Sequence, residues 1–247
     1  MTRREARSSY RWTQTWGPYW LPMLSFLILV TFGQSAPEAA EPWLLVLRVA
    51  LPGGLFLWFA RQGRYPELRG YPGTAGDIAL DIAVGLLGAA LWVAPFLLFP
   101  ALRPDEAGFD TQHFGASLVW LALTLRAVGY ALVTPFVEEL FVRSWLMRYI
   151  DVFDQKCDFG SVPIARFTWR SFLVVTLYFV FSHQQWEWGV MFIWTLLTMA
   201  WFYHRKHLAP LVLAHAVTNG AILLFVVLSD GRLSGVDGLP ISLWFLV

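Results

Sequence analysis

Charged side chains are scarce in this sequence: Asp, Glu, Lys and Arg make up only 14% of its 247 residues, while 57% are hydrophobic. With a mean hydropathy of +0.54, that deficit excludes an ordinary soluble domain, whose surface carries far more charge. Cysteine is almost absent. The single Cys157 excludes an internal disulfide and any cysteine-based metal cluster, and in a polar loop it reads as incidental. The net charge of +1 gives no basic excess that would point to nucleic acid, and no such partner is expected. No Gly-x-Ser-x-Gly elbow and no His-Glu-x-x-His pair is present, which removes the common serine-hydrolase and zinc-protease patterns. Internal repeats and low-complexity tracts are missing too, which weakens a transporter reading.

What is present is a series of apolar runs long enough to cross a bilayer at about 20 residues each. The expected fold is all-α, a polytopic transmembrane bundle of seven to eight spans in a single integral membrane domain over residues 1–247. Residues 1–14, with Arg3, Arg4, Arg7 and Arg11, read as a cytoplasmic tail. The spans are expected at about Trp16 to Phe32, Pro42 to Ala60, Ile78 to Phe99, Trp169 to Gln184, Trp188 to Tyr203 and Leu208 to Leu228. A longer fourth helix runs from near Phe114 through Pro135 to Tyr149. The first run lacks a small-residue cleavage site, so it reads as a retained helix rather than a signal peptide. Basic residues fall on every second connection, in the tail and around 61–69, 143–170 and 204–207. By the positive-inside rule this places the amino terminus in the cytoplasm. Asp77 and Asp81 are expected to cap or line the start of the third span. Residues 114–228 form the core that carries the chemistry.

That chemistry starts at Glu138-Glu139-Leu140-Phe141-Val142-Arg143, two carboxylates and an arginine inside an apolar run. An ionisable group in a bilayer costs about 2.5 to 3.5 kcal/mol on insertion scales, so such a cluster points to function. On an α-helix Glu139 and Arg143 face each other and can pair, while Glu138 points about 100° away and is free for other work. The fifth span carries Phe179 and His183 at the same four-residue spacing, and the seventh carries His215 and Asn219. A carboxylate in low dielectric can take a proton from water, an imidazole can orient that water, and His with Asn can donate to a developing oxyanion. This assigns catalysis to Glu138, His183, His215 and Asn219, with Glu139, Arg143 and Phe179 in support and no cofactor. A zinc ion held by Glu138, His183 and His215 is the chemical alternative. The same polar groups could instead tie helices together in a scaffold or immunity-type protein.

The order Glu-Glu-x-x-x-Arg, Phe-x-x-x-His, His-x-x-x-Asn on successive membrane helices resembles the type II CAAX prenyl endopeptidases and their bacterial relatives, the CPBP or Abi group. The resemblance covers about Leu132 to Leu228. It implies an intramembrane glutamic-type protease in which Glu138 and His183 activate water, His215 and Asn219 form the oxyanion site, and Glu139 and Arg143 support. It also carries the question of metal dependence, since the family has long been described as metal-dependent. Its expected substrate is a membrane-associated protein or peptide cut near its carboxyl end within the lipid bilayer. Ser144 departs from the pattern, where many members have Gly, and is expected to alter local packing only. The stretch Trp16-Gly17-Pro18-Tyr19-Trp20-Leu21-Pro22-Met23 also resembles the CAAX-protease-like proteins of bacterial exosortase systems. That likeness implies a sorted rather than a prenylated tail and a bacterial inner membrane.

Overall fold

The computed structural model describes residues 16–33, 35–105, 108–109, 114–155, 157–235, 238 and 240–247. The expected cytoplasmic tail 1–14 and His113 lie outside the described residues. Among those described there are seven helices and no strand. They are α1 (Gly17–Gly33), α2 (Glu41–Arg61), α3 (Ala75–Leu98), a composite α4, α5 (Trp169–Phe181), α6 (Trp188–Arg205) and α7 (Leu208–Ser229). The composite α4 joins α-helix Gly115–Val128, a π turn Gly129–Val133, α-helix Thr134–Glu139, a π segment Leu140–Leu146 and α-helix Met147–Ile150.

Among the described residues, four stretches are long and apolar enough to cross a membrane: Glu41–Arg61, Ala75–Leu98, Ser117–Ile150 and Leu208–Ser229. Gly17–Gly33 and Trp169–Phe181 are shorter apolar helices. At 13 residues, α5 is about 20 Å long against a hydrocarbon core of about 30 Å. Prolines 22, 52, 95 and 135 sit inside helices, which the neighbouring helices tolerate as expected in an apolar bundle.

Helix α3 packs against α7 through small residues, because in lipid close backbone approach and interhelical hydrogen bonds replace the hydrophobic drive. The Thr218 hydroxyl donates to the Gly85 carbonyl at 2.9 Å, and a Cβ at Gly85 would stand 2.5 Å from the Ala214 carbonyl oxygen. Gly85→Ala is therefore expected to push α3 off α7 and cost about 1 to 3 kcal/mol, the range for an overpacked core. The check is the thermal midpoint of the purified variant in detergent; an unchanged midpoint would show that the contact is slack.

One end of the bundle is tied by buried ionic groups. Asp77 completes a capping box with Thr74, as its position suggested. Asp81 does more than line a helix end: fully buried, it accepts from Trp201 Nε1 at 2.8 Å, from Arg205 Nε and Nη2 at 3.0 Å each, and from the Tyr71 hydroxyl. Arg205, read from sequence as part of a basic loop, is thus a clamp between α3 and α6. The Tyr65 hydroxyl donates to the Pro18 carbonyl at 2.6 Å, and burial pushes that phenol above its usual range, so it stays a donor. The Ser144 hydroxyl meets Glu67, which also pairs with Arg148 at 3.4 Å; this makes Ser144 a polar tie to the 66–68 turn rather than plain packing.

Candidate functional site

Glu138 and Glu139 stand at the end of the short α-segment Thr134–Glu139, with a π segment on each side. Such π geometry aligns residues five apart rather than four and recurs at functional sites. The pairing expected within α4 between Glu139 and Arg143 is present at this junction. Arg143 lies in the second π segment, and its Nε is 3.8 Å from Glu139 Oε2 with both side chains fully buried. This is a coulombic contact without a hydrogen bond, since neither atom has a hydrogen-bond partner among the described residues. The guanidinium instead donates from Nη2 to Thr198 Oγ1 at 3.0 Å and lies 4.2 Å from the centroid of the Phe179 ring.

The partner of both carboxylates is His215. Its Nδ1 is 2.9 Å from Glu139 Oε1, and its Nε2 is 3.9 Å from Glu138 Oε2. A carboxylate accepts, so Nδ1 is the donor to Glu139 and Nε2 is turned toward Glu138. The imidazole also stands edge-on to Trp194 at 4.7 Å. Glu139 is closed off, whereas 13% of the Glu138 side chain is accessible, and only Glu138 reaches the cavity. The two adjacent acids thus have different surroundings, one held and one presented.

One turn beyond His215, Asn219 donates from Nδ2 to the Tyr130 carbonyl at 2.8 Å. Tyr130 sits in the first π turn, where helical hydrogen bonding is shifted, which is how its carbonyl comes to accept from a neighbouring helix. One amide hydrogen of Asn219 remains. His183 is not on the helix as the sequence suggested: α5 ends at Phe181, and His183 lies in the turn that follows. The cause is local, since both the Ser182 hydroxyl, at 3.2 Å, and His183 Nδ1, at 2.8 Å, bond the Phe179 carbonyl in competition with the helix. That carbonyl fixes the proton on Nδ1 and leaves Nε2 with its lone pair. Phe179 therefore touches three members of the group, carrying Arg143 on its face, holding His183 with its carbonyl and stacking edge-on against Trp194 at 5.9 Å.

Glu138, Phe179, His183, His215 and Asn219 all line one cavity of about 510 Å³, within the size range of small-molecule sites. Tyr130, Thr134, Trp92 and Trp194 share it, as do Arg48 and Arg126. None of these was singled out from the sequence. The available signal was Arg126, Tyr130, Thr134 and Glu138, polar residues at every fourth position of one helix. Among the described residues no group of three or more His, Cys, Asp or Glu side chains is placed to hold a metal ion, so Glu138, His183 and His215 as arranged do not make a zinc site. Cys157 is exposed and does not line this cavity.

An all-helical bundle with helices long and apolar enough to cross a membrane has the character of an integral membrane protein, and the family comparison is consistent with that class. Residues 119–221 match the family described as Rce1-like, type II CAAX prenyl endopeptidase Rce1-like. The matched stretch contains Glu138, His183, His215 and Asn219. No curated protein and no solved structure matches the chain.

Proposed function

We propose that the protein is an intramembrane endopeptidase of the glutamic type that cuts a membrane-associated protein near its carboxyl end. The observation that carries this reading is the convergence of Glu138, His183, His215 and Asn219, from three separate stretches of chain, on one cavity. In the mechanism, His183 Nε2 accepts a hydrogen bond from a water and turns its lone pair toward the scissile carbonyl. Glu138 takes the proton as the water oxygen bonds to the carbonyl carbon. The oxyanion receives the remaining Asn219 amide hydrogen, with His215 Nε2 beside it as a second donor when protonated. Glu138 then passes its proton to the leaving nitrogen as the carbon–nitrogen bond breaks. Glu139 holds His215 in one tautomer and orientation, and Arg143 balances the charge of Glu139.

We place all seven helices across the bilayer, with the amino terminus in the cytoplasm of a bacterial cell and residues 114–228 as the catalytic core of one domain. The substrate carries a prenylated or sorted tail. The test compares the membrane proteins of cells holding the native protein with those of cells holding Glu138→Gln, reading carboxyl-terminal peptides by mass spectrometry. At least one membrane protein is expected to lose a short carboxyl-terminal segment only with the native protein; identical termini in both would favour a scaffold that uses the cluster to join helices. Cleavage by the purified protein is also expected to persist in a strong chelator. Stoichiometric bound zinc with chelator-sensitive, zinc-restorable cleavage would overturn the glutamic mechanism.

A further inference from the structure

Glu138 is the last member of a polar stripe. Arg126, Tyr130, Thr134 and Glu138 recur at every fourth residue of α4, and all four line the same cavity. At the helical rise, Arg126 lies about 18 Å from Glu138 along the stripe. The Arg126 guanidinium carbon sits 5.3 Å from the centroid of the Phe109 ring and 5.6 Å from that of Tyr130. Its Nε is buried, with no hydrogen-bond partner among the described residues. Arg48 of α2 lines the same cavity and donates from Nε to the Leu29 carbonyl at 3.3 Å. Two guanidinium groups therefore share this cavity with Glu41, and Met23, Phe26 and Leu45 are among its apolar lining residues. The stripe already receives a peptide backbone, because the Tyr130 hydroxyl donates to the Leu246 carbonyl at 3.2 Å and residues 245–247 line the cavity.

We propose that the Arg126 end of the cavity is a subsite for the free carboxyl-terminal carboxylate of the peptide being cut, an inference that rests on the proteolytic reading above. A guanidinium presents paired donors that match a carboxylate, and an aromatic sandwich of this kind holds its plane while keeping water away. The stripe then acts as a ruler. An extended chain advances about 3.3 to 3.6 Å per residue, so about five residues separate a bond held at Glu138 from a carboxylate held at Arg126. Tyr130 and Thr134 lie between them and serve the backbone, and the apolar walls take apolar side chains.

The test uses the full-length protein carrying Glu138→Gln, so that binding is read without turnover. It is titrated in detergent with a fluorescent library of apolar octapeptides, made once as free acids and once as carboxyl-terminal amides. The acids are expected to bind about tenfold to a hundredfold more tightly than the amides, the range for hydrogen bonds to a charged group. Adding Arg126→Gln should bring acids and amides level, and Arg126→Lys, which keeps the charge if the Gln variant fails to fold, should retain part of the difference. Equal binding of acids and amides, or equal weakening of both by either Arg126 variant, overturns the subsite. The titration is repeated in nanodiscs with and without anionic phospholipid; an Arg126 effect seen only with anionic lipid assigns the site to a lipid headgroup and overturns it as well. With the active protein, fragments released from the free acids are expected to be about four to six residues long, as the ruler requires. The proteolytic reading fails separately, through cleavage that survives Glu138→Gln.

Discussion

Glu138→Gln is expected to lose at least about a hundredfold in turnover, the lower end of what a positioned general base contributes, while the bundle stays folded. The structure separates these two effects. The nearest charged partner of Glu138 is His215 Nε2 at 3.9 Å, beyond hydrogen-bond range, so replacing the carboxylate by an amide of the same shape removes no hydrogen bond seen in the fold. The thermal midpoint should therefore move little, because the substitution opens no cavity and strands no hydrogen-bond partner. Glu138→Asp draws the carboxylate back by one methylene and should lie between Gln and native, because misplacement by about 1 Å is enough to cost about a hundredfold. Cys157→Ser, at an exposed thiol that does not line the cavity, should match the native protein in both measurements. Native turnover by the Gln variant would end the mechanism. A large fall in its midpoint would show instead that Glu138 joins helices.

Much of this arrangement was legible in the sequence, for reasons visible in particular residues. Helix ends followed from apolar runs broken by Gly33, by the 61–74 loop and by the basic 204–207 stretch, and the structure places the ends of α1, α2 and α7 within a residue or so of those positions. Polar groups that must leave lipid and face one another were legible for the same reason: Glu138, His215 and Asn219 have nowhere else to go. What was hidden depends on geometry that local patterns do not encode. Nothing in Gly129–Val133 or Leu140–Leu146 announces a π segment, yet Arg143, in the second, keeps only a 3.8 Å ion-pair contact with Glu139 and hydrogen-bonds Thr198, and the Tyr130 carbonyl, in the first, accepts from Asn219. The turn at His183 arises because two side chains compete for one carbonyl. Asp81 and Arg205 lie far apart in the chain, and no spacing rule links them. The Arg126 stripe had a signal, but an arginine in an apolar helix reads as a helix-end residue until a cavity is seen beside it.

Arg143→Ala is expected to cost about 3 to 5 kcal/mol of stability, the usual result of removing one partner of a buried ion pair, and to lower activity along with it. Of a total of about 5 to 15 kcal/mol for a typical domain, this is enough to unfold a large fraction of the protein near its working temperature. The loss has three parts in the structure. Thr198 Oγ1 loses the donor at 3.0 Å, the Phe179 ring loses the guanidinium 4.2 Å from its centroid, and Glu139 keeps a buried carboxylate held by His215 without a nearby cation. Arg143→Lys should recover only part, because a single ammonium cannot lie flat on Phe179 while reaching Thr198. Two explanations of the loss are open to a double-mutant cycle. If the stranded charge on Glu139 dominates, Glu139→Gln added to Arg143→Ala should raise the thermal midpoint above that of Arg143→Ala alone, since the uncompensated carboxylate is gone. If the packing on Phe179 dominates, the double variant should be no more stable than the single one, and the charge-balance role given to Arg143 would fall. Activity distinguishes them further. In the double variant His215 keeps a hydrogen-bond acceptor, because the amide introduced by Glu139→Gln still presents a carbonyl oxygen to Nδ1. Stability is therefore expected to return without full turnover, since a neutral amide orients the imidazole less firmly than the carboxylate at 2.9 Å does.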